Sequence, residues 1–301
     1  MRKLLIGAAI VLCFAACKSN TKLTPQDTPS AGFIRISAEQ SFKPILEEQL
    51  KVFLSAYPDA KIEIRYKSEI DCFKDLASDS TRMIMVTRGL TKQEESNYRV
   101  QLSFAPTFGV LAYNAIAILM NKHNTDSLYS LAQLQQILTG KKPTEVVMDG
   151  NNLTGIVRFL KDSLVKNEGF GKNVVSANGS SEVIEYIKKH PNAIGFVAMN
   201  WVEDSYDPKQ IEIRKELKTA LLECTLCAEK GLYAHPSQAT IGKGQYSLSL
   251  PVYYILKENA PGLGSGFLNF MSLERGQLIF RRSFLVPAKM GFSKRNGMIS
   301  Q

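Results

Sequence analysis

Residues 108–120 read Phe-Gly-Val-Leu-Ala-Tyr-Asn-Ala-Ile-Ala-Ile-Leu-Met, a long apolar run with a single amide, Asn114, in its middle. Such a run is either a buried helix or a strand covered on both faces. Its β-branched residues, and the polar Asn121-Lys122-His123-Asn124 that ends it, favour a strand passing between two lobes. The rest of the chain can be ordered around that crossing.

Before it, strand and helix patterns alternate. Phe33–Ile36 is a short apolar strand, and Phe42–Tyr57 places Phe42, Ile45, Leu46, Leu50, Phe53 and Leu54 at helical spacing until Pro58-Asp59 stops it. Lys61–Tyr66 alternates strictly, Cys72–Leu76 suits a short helix, and Met83–Val86 a buried strand. Strands joined by crossover helices predict a parallel, doubly wound sheet. After the crossing come helices over Leu128–Leu138, Leu153–Val165 and Ser180–Lys189, with strands over Val146–Met148 and Ala193–Met199. Leu248–Leu256 reads as a return strand and Gly264–Phe280 as one C-terminal helix. The expected fold is α/β with two lobes, each a doubly wound sheet flanked by helices, and a ligand cleft between them. One lobe takes residues 32–113 plus 249–301, the other 114–248.

Composition narrows the class without choosing a partner. The chain has 301 residues, 45% hydrophobic and 22% charged, which excludes disordered, collagen-like and coiled-coil chains. Its net charge of +9 permits anionic partners. No run of apolar residues reaches the length of a conventional spanning helix.

The N-terminus gives an address. Arg2-Lys3, the apolar Leu4–Phe14 and the small Ala15-Ala16 form a removable secretory leader over residues 1–16. Cys17 directly after it resembles a bacterial lipobox, with Phe14 where Leu is commonest. The expectation is a protein held by acyl chains on Cys17, with residues 17–31 as a polar tether. That places it in the cell envelope, facing the periplasm. Cys224-Thr-Leu-Cys227 is open to reading as a redox pair, half a zinc site, a local disulfide or two packed thiols; Cys72 stands apart. His123, His190 and His235 do not complete a zinc spacing, so neither metal nor cofactor is expected.

Six stretches in order resemble the substrate-binding proteins of phosphate ABC transporters, the PstS-like branch of the periplasmic binding proteins. They are Ile34–Pro44 with Tyr57-Pro58-Asp59, Leu76-Ala77 with Met83–Thr91, Ser130–Gly140, His190–Val197, Tyr246–Tyr253, and Gly264–Phe270 with Arg275-Gly-Gln277 and Leu285-Val-Pro287. The resemblance implies a monomeric periplasmic-binding-protein fold that holds phosphate, or a similar oxyanion, and delivers it to an ABC permease complex. It also implies hydroxyls, backbone amides, an Arg and an acidic acceptor in loops at helix starts.

Carried over residue by residue, those loops offer Ser41, Ser68 beside Lys67, Thr87 and Arg88, and Asn151, Asn152 and Thr154. Three departures stand out. Glu39 occupies a normally small, neutral position, and a carboxylate there repels a dianion unless it points away or is protonated. Lys67–Asp71 lacks the family's Gly-Ser-Gly run, and Met148–Thr154 lacks its arginine. The bland alternatives are equally concrete. Ser41, Asn151, Asn152, Thr154, Ser180 and Ser181 are residue types that favour helix caps and turns. Arg88 suits an ion pair, Asp149-Gly150 a turn or an acceptor for a protonated ligand oxygen, and Tyr113, Trp201 and Tyr246 packing.

Two functional classes follow. One is a lipid-anchored solute-binding protein; the other is a degenerate module using the same scaffold for another solute or an envelope protein. No Gly-x-Ser-x-Gly elbow, HExxH or P-loop occurs, so an enzyme with catalytic residues is not expected. Nucleic acid is not expected either, because export argues against it.

Overall fold

A computed structural model describes residues 27–78, 80–150 and 154–289. The leader and Cys17 lie outside the described residues. Strand β1 (Gly32–Glu39) leads into α1 (Lys43–Ala56), whose first turn carries Pro44, a residue pre-set for that position. Strand β2 (Ala60–Lys67), α2 (Glu69–Ala77) and β3 (Met83–Val86) follow. Both β2 and β3 run parallel to β1. Helix α3 (Lys92–Leu102) buries no side chain, so it carries no apolar stripe for sequence reading to find. It starts at a reciprocal Thr91–Glu94 capping box instead.

The apolar run 108–120 forms strand β4 (Thr107–Asn121). Beyond it lie β5 (Leu128–Tyr129), α4 (Leu131–Leu138), β6 (Val146–Asp149) and α5 (Gly155–Leu160), the last continuing as a wider π turn over Lys161–Val165. Strand β7 (Val174–Ala177), α6 (Ser180–Lys189), β8 (Ile194–Ala198), α7 (Pro208–Glu216) and β9 (Leu217–Thr219) complete this part of the main sheet. Strands β10 (Leu221–Glu223) and β11 (Tyr233–Ala234) join β5 in a small sheet. Its turn is closed by a Cys224–Cys227 disulfide with Cα atoms 5.5 Å apart, while Cys72 is a free thiol buried in α2. After α8 (Gln238–Gly242) the chain returns along β12 (Ser249–Leu256), through α9 (Leu263–Ser272) and α10 (Glu274–Arg282), to β13 (Val286–Pro287).

The main sheet runs β2-β1-β3-β12-β4-β8-β6-β7, with β13 and β9 also pairing β4. Strand β4 changes partners along its length. Residues 107–115 pair antiparallel with β12, and residues 116–120 with β8. Each side is parallel away from this seam, β2-β1-β3 on one and β8-β6-β7 on the other. The architecture is the mixed α/β, two-lobed arrangement read from the sequence. Asn114 sits at the change of partner, fully buried, its Nδ2 donating to Asn200 Oδ1 at 2.6 Å.

Two expected elements are corrected. Gly264–Phe280 is not one helix: Leu273 is extended (φ −93°, ψ 177°) and separates α9 from α10. Leu128 and Tyr129 belong to β5 rather than to α4. Part of the segment 17–31 also packs on the body. The Asp27 carboxylate accepts the Leu263 N–H at 3.0 Å and pairs with Arg82.

The α9–α10 corner is closed by backbone contact. A Cβ on Gly276 would lie 2.4 Å from both Met271 Cα and Phe270 O. The Gly276 carbonyl already accepts Gln49 Nε2 at 2.8 Å, and the Gln277 amide donates to Leu111 O and Met271 O. Gly276→Ala must therefore push two helix backbones apart. We expect it to lower stability by about 1–3 kcal/mol, read as a reduced urea midpoint with unchanged slope.

Candidate ligand-binding site

The last residues of β1 and β6 are carboxylates, Glu39 and Asp149, and the first residue of α2 is Glu69. All three are buried. Helix α5 approaches them because its first residue has no side chain: a Cβ on Gly155 would lie 2.4 Å from Thr87 Cγ2 and 2.9 Å from Glu69 Oε2. The Gly155 N–H donates to Glu39 Oε1 at 3.4 Å, linking the ends of the two sheet halves.

Each carboxylate has its own donors. Glu69 Oε2 accepts the Thr87 N–H at 2.9 Å and the Thr87 hydroxyl, and its Oε1 accepts Arg158 Nε at 2.7 Å. The other arm of Arg158 donates to Thr87 Oγ1 at 2.8 Å. Glu39 receives the Ser41 hydroxyl. Asp149 receives Ser180 Oγ and Thr154 Oγ1, each at 3.2 Å. Glu69 thus faces a guanidinium, whereas Glu39 and Asp149 have neutral donors only.

That difference shows in protonation. Burial pushes the Glu39 carboxyl up to about 8; the charges of Asp149 and Glu69 add to the rise, and the Ser41 hydroxyl and Gly155 N–H oppose it. Burial likewise pushes Asp149 up to about 7 against the Ser180 and Thr154 hydroxyls.

The sequence-predicted residues divide into three groups. Ser41, Thr87 and Thr154 lie in this cluster. The Ser41 carbonyl also accepts Asn200 Nδ2 at 3.1 Å and Trp201 Nε1 at 2.9 Å, so the first loop is tied to the segment after β8. Thr154 is at once the N-cap of α5, accepting the Val157 N–H at 3.3 Å. A second group has other partners. Ser68 caps α2, accepting the Asp71 N–H and donating to Asp71 Oδ2 at 2.8 Å. Arg88 forks onto Glu94 at 2.8 and 2.9 Å and stacks over Phe73 at 3.9 Å. Lys67 pairs with Asp75 at 2.7 Å. Asn151 and Asn152, the third group, lie outside the described residues.

Sequence reasoning missed Arg158 and Glu69. Arg158 is the one charge in the apolar α5 segment Gly-Ile-Val-Arg-Phe-Leu, four residues after Thr154, and that isolated charge was the available signal. Glu69 was visible only as an interruption of a glycine-rich loop. Ser180 was expected as a cap; Gly179, at φ 98°, holds that place, and Ser180 turns to Asp149. Tyr246 is buried with its hydroxyl on Ile116 O, so it packs. Asn200 and Trp201 also line a cavity of about 750 Å³ between α1, α6 and residues 199–210.

The family model for the PBP superfamily domain matches residues 23–274. The phosphate-binding protein PstS of Pseudomonas aeruginosa is 22% identical over 260 residues, covering 77% of this chain and 75% of that one. A solved chain from Clostridium perfringens, described as a phosphate ABC transporter substrate-binding protein with bound phosphate, superposes with a TM-score of 0.70 at 22% identity. It covers 86% of this chain and 100% of its own. An ABC-type phosphate transport receptor from Vibrio cholerae gives 0.62 at 18% identity over 84% and 99%. At these identities the structures attest the fold.

The carboxylate pair fixes a pH dependence. Glu39 and Asp149 hold protons more tightly folded than unfolded, so their contribution is full below about pH 4 and is lost as pH rises through 8. Glu94, lowered to about 2 chiefly by its Arg88 hydrogen bond, acts oppositely but only below its unfolded range near 4. Melting temperature should therefore fall between pH 5 and pH 8.5, and Glu39→Gln should at least halve that slope.

Proposed function

The chain belongs to the PBP superfamily, and from that premise we propose that it is a lipid-anchored solute-binding protein capturing a small oxyanion, inorganic phosphate, for an ABC importer. The observation carrying this reading is the convergence on one buried point of a backbone N–H, a hydroxyl and a guanidinium, from Thr87 on one sheet half and Arg158 on the other. Such a donor set suits a tetrahedral oxyanion. Here it is occupied by an oxyanion of the chain's own, the Glu69 carboxylate. The relatives named as phosphate-binding proteins support the same solute class.

In this reading residues 32–113 with 249–301 form one lobe and 114–248 the other, and solute is gripped by closure about the β4–β12 seam. Thr87, Arg158, Ser41, Thr154 and the Gly155 N–H hold the anion, with Asn151 and Asn152 nearby in sequence. Arg88 shapes the loop through Glu94, and Ser68 caps α2 beside it. No step requires a catalytic residue, cofactor or metal. Leader removal and acylation at Cys17 put the protein on the periplasmic side of a membrane as a monomer; no helix among the described residues is long and apolar enough to cross one.

One observation favours a second reading, a degenerate module on this scaffold for another solute or an envelope protein. Three buried carboxylates line the point where a dianion would sit. Calorimetric titration of the body from Lys18, unfolded and refolded to strip ligand, separates the two. On the first reading phosphate binds 1:1, and Thr87→Val or Arg158→Met weakens it by about tenfold or more, the worth of a charge-assisted hydrogen bond. A folded protein giving no heat with phosphate, sulfate, molybdate or a phosphonate leaves the second.

A further inference from the structure

Glu69 is the first residue of α2, yet its carboxylate does not turn back onto that helix. It reaches Thr87 at the end of β3 and Arg158 on α5, and its side chain is only 4% exposed. Both oxygens are engaged: one by the Thr87 N–H and hydroxyl, the other by Arg158 Nε at 2.7 Å. Arg158 closes the triangle by donating to Thr87 Oγ1. The guanidinium keeps a second, weaker partner, Asp162 at 3.4 Å on its own helix. Thr87 lies in the β2-β1-β3 half of the sheet, and Arg158 in the half that holds β6 and β8.

We infer that Glu69 is a built-in oxyanion, which clasps the two lobes together through Thr87 and Arg158 and which a solute anion must displace. The inference rests on the reading of this cleft as an oxyanion site. A carboxylate and a phosphate oxygen pair satisfy the same fork of donors, so both cannot hold Thr87 and Arg158 at once. Occupation of the fork by Glu69 reduces apparent affinity, because only the fraction of molecules in which the carboxylate has left Thr87 and Arg158 is competent to take the solute. The clasp sets the solute concentration at which the protein loads. It also selects for anions that bind the fork better than a carboxylate does.

The neighbouring contacts fit a clasp rather than a rigid weld. Arg158 is one-third exposed, so water can reach the guanidinium when the carboxylate leaves. Among the described residues, Arg158 is the one cation paired with the Glu69 carboxylate. The Gly155 N–H contact to Glu39 and the Asn200 and Trp201 contacts to Ser41 cross the same interface without using Glu69 or Arg158. These are weaker, neutral contacts, so removing the clasp loosens the lobes without unfolding either one.

The test measures lobe separation and phosphate affinity in the full chain. Spin labels are introduced as noncanonical side chains at the exposed Val100 and Lys161, one in each half, which leaves the cysteines untouched. Without solute, the wild-type protein should give mainly the short distance; Glu69→Ala and Arg158→Met should both shift it to longer distances. Phosphate affinity should then move in opposite directions, rising about tenfold or more in Glu69→Ala and falling by a similar factor in Arg158→Met. A merely structural Glu69 would weaken phosphate in both variants. That result, or an unchanged distance in folded Glu69→Ala, overturns the inference. If no variant binds phosphate but both variants lengthen the distance, the clasp stands and the phosphate reading falls.

Discussion

Strand β4 has to satisfy its backbone on both edges over fifteen residues, and no single neighbour does this. Its first part is covered by β12 and β13 and its second by β8 and β9. An unpaired stretch of buried strand would leave amides and carbonyls without partners, at a cost comparable to the loss of several hydrogen bonds. The handover at Asn114–Ile116 is therefore the constraint on which the two-lobed form depends. Asn114 covers the handover with its own side chain, accepting the Ala115 N–H at 2.8 Å and donating to Asn200. Asn200 in turn holds the Ser41 carbonyl, so the seam that joins the sheet halves also positions the first loop of the site.

Once the two halves share β4, the ends of β1 and β6 meet, and each end is an acid. Burying an ionised carboxylate without a cation is costly, and the protein meets that cost in two ways. Glu69 stays against a guanidinium and an amide. Glu39 and Asp149, limited to hydroxyls and one distant amide, are shifted toward the protonated state. Three acids within one contact network thus divide into one paired with a guanidinium and two whose burial raises their hold on a proton.

The frame was legible because its signals are local. Alternation in Lys61–Tyr66, the apolar run of β4 and the helical spacing of α1 each reflect burial of one face, which is a property of neighbouring residues. The break at Leu273 was not legible: Gly264–Phe280 keeps helical periodicity across it, and the corner is decided by the backbone approach at Gly276. Ser41, Thr87 and Thr154, picked out from their loops, do meet in the carboxylate cluster. Arg158 left a weaker signal, one charge in an apolar helix, because its partners Glu69 and Thr87 are distant in sequence and meet it only in the fold. Arg88 illustrates the opposite case. Its neighbour Thr87 enters the cluster, while a glutamate six residues ahead, placed by the α3 capping box, forks onto Arg88 itself.

The same geometry bears on how an anion could share this cleft with Glu39 and Asp149. A phosphate brings up to two negative charges toward a point served by one guanidinium, and the deficit grows if either neighbouring acid ionises. With both acids protonated, their hydroxyls become donors and the cleft gains the means to hold an anion. Anion binding and proton retention then favour each other, and by linkage the effect is reciprocal: whatever binds as an anion raises proton affinity, and rising pH weakens the anion. The departure at Glu39, which on charge alone argues against an oxyanion, therefore argues against it only when that carboxyl is ionised. Burial is what raises the Glu39 carboxyl toward its neutral form.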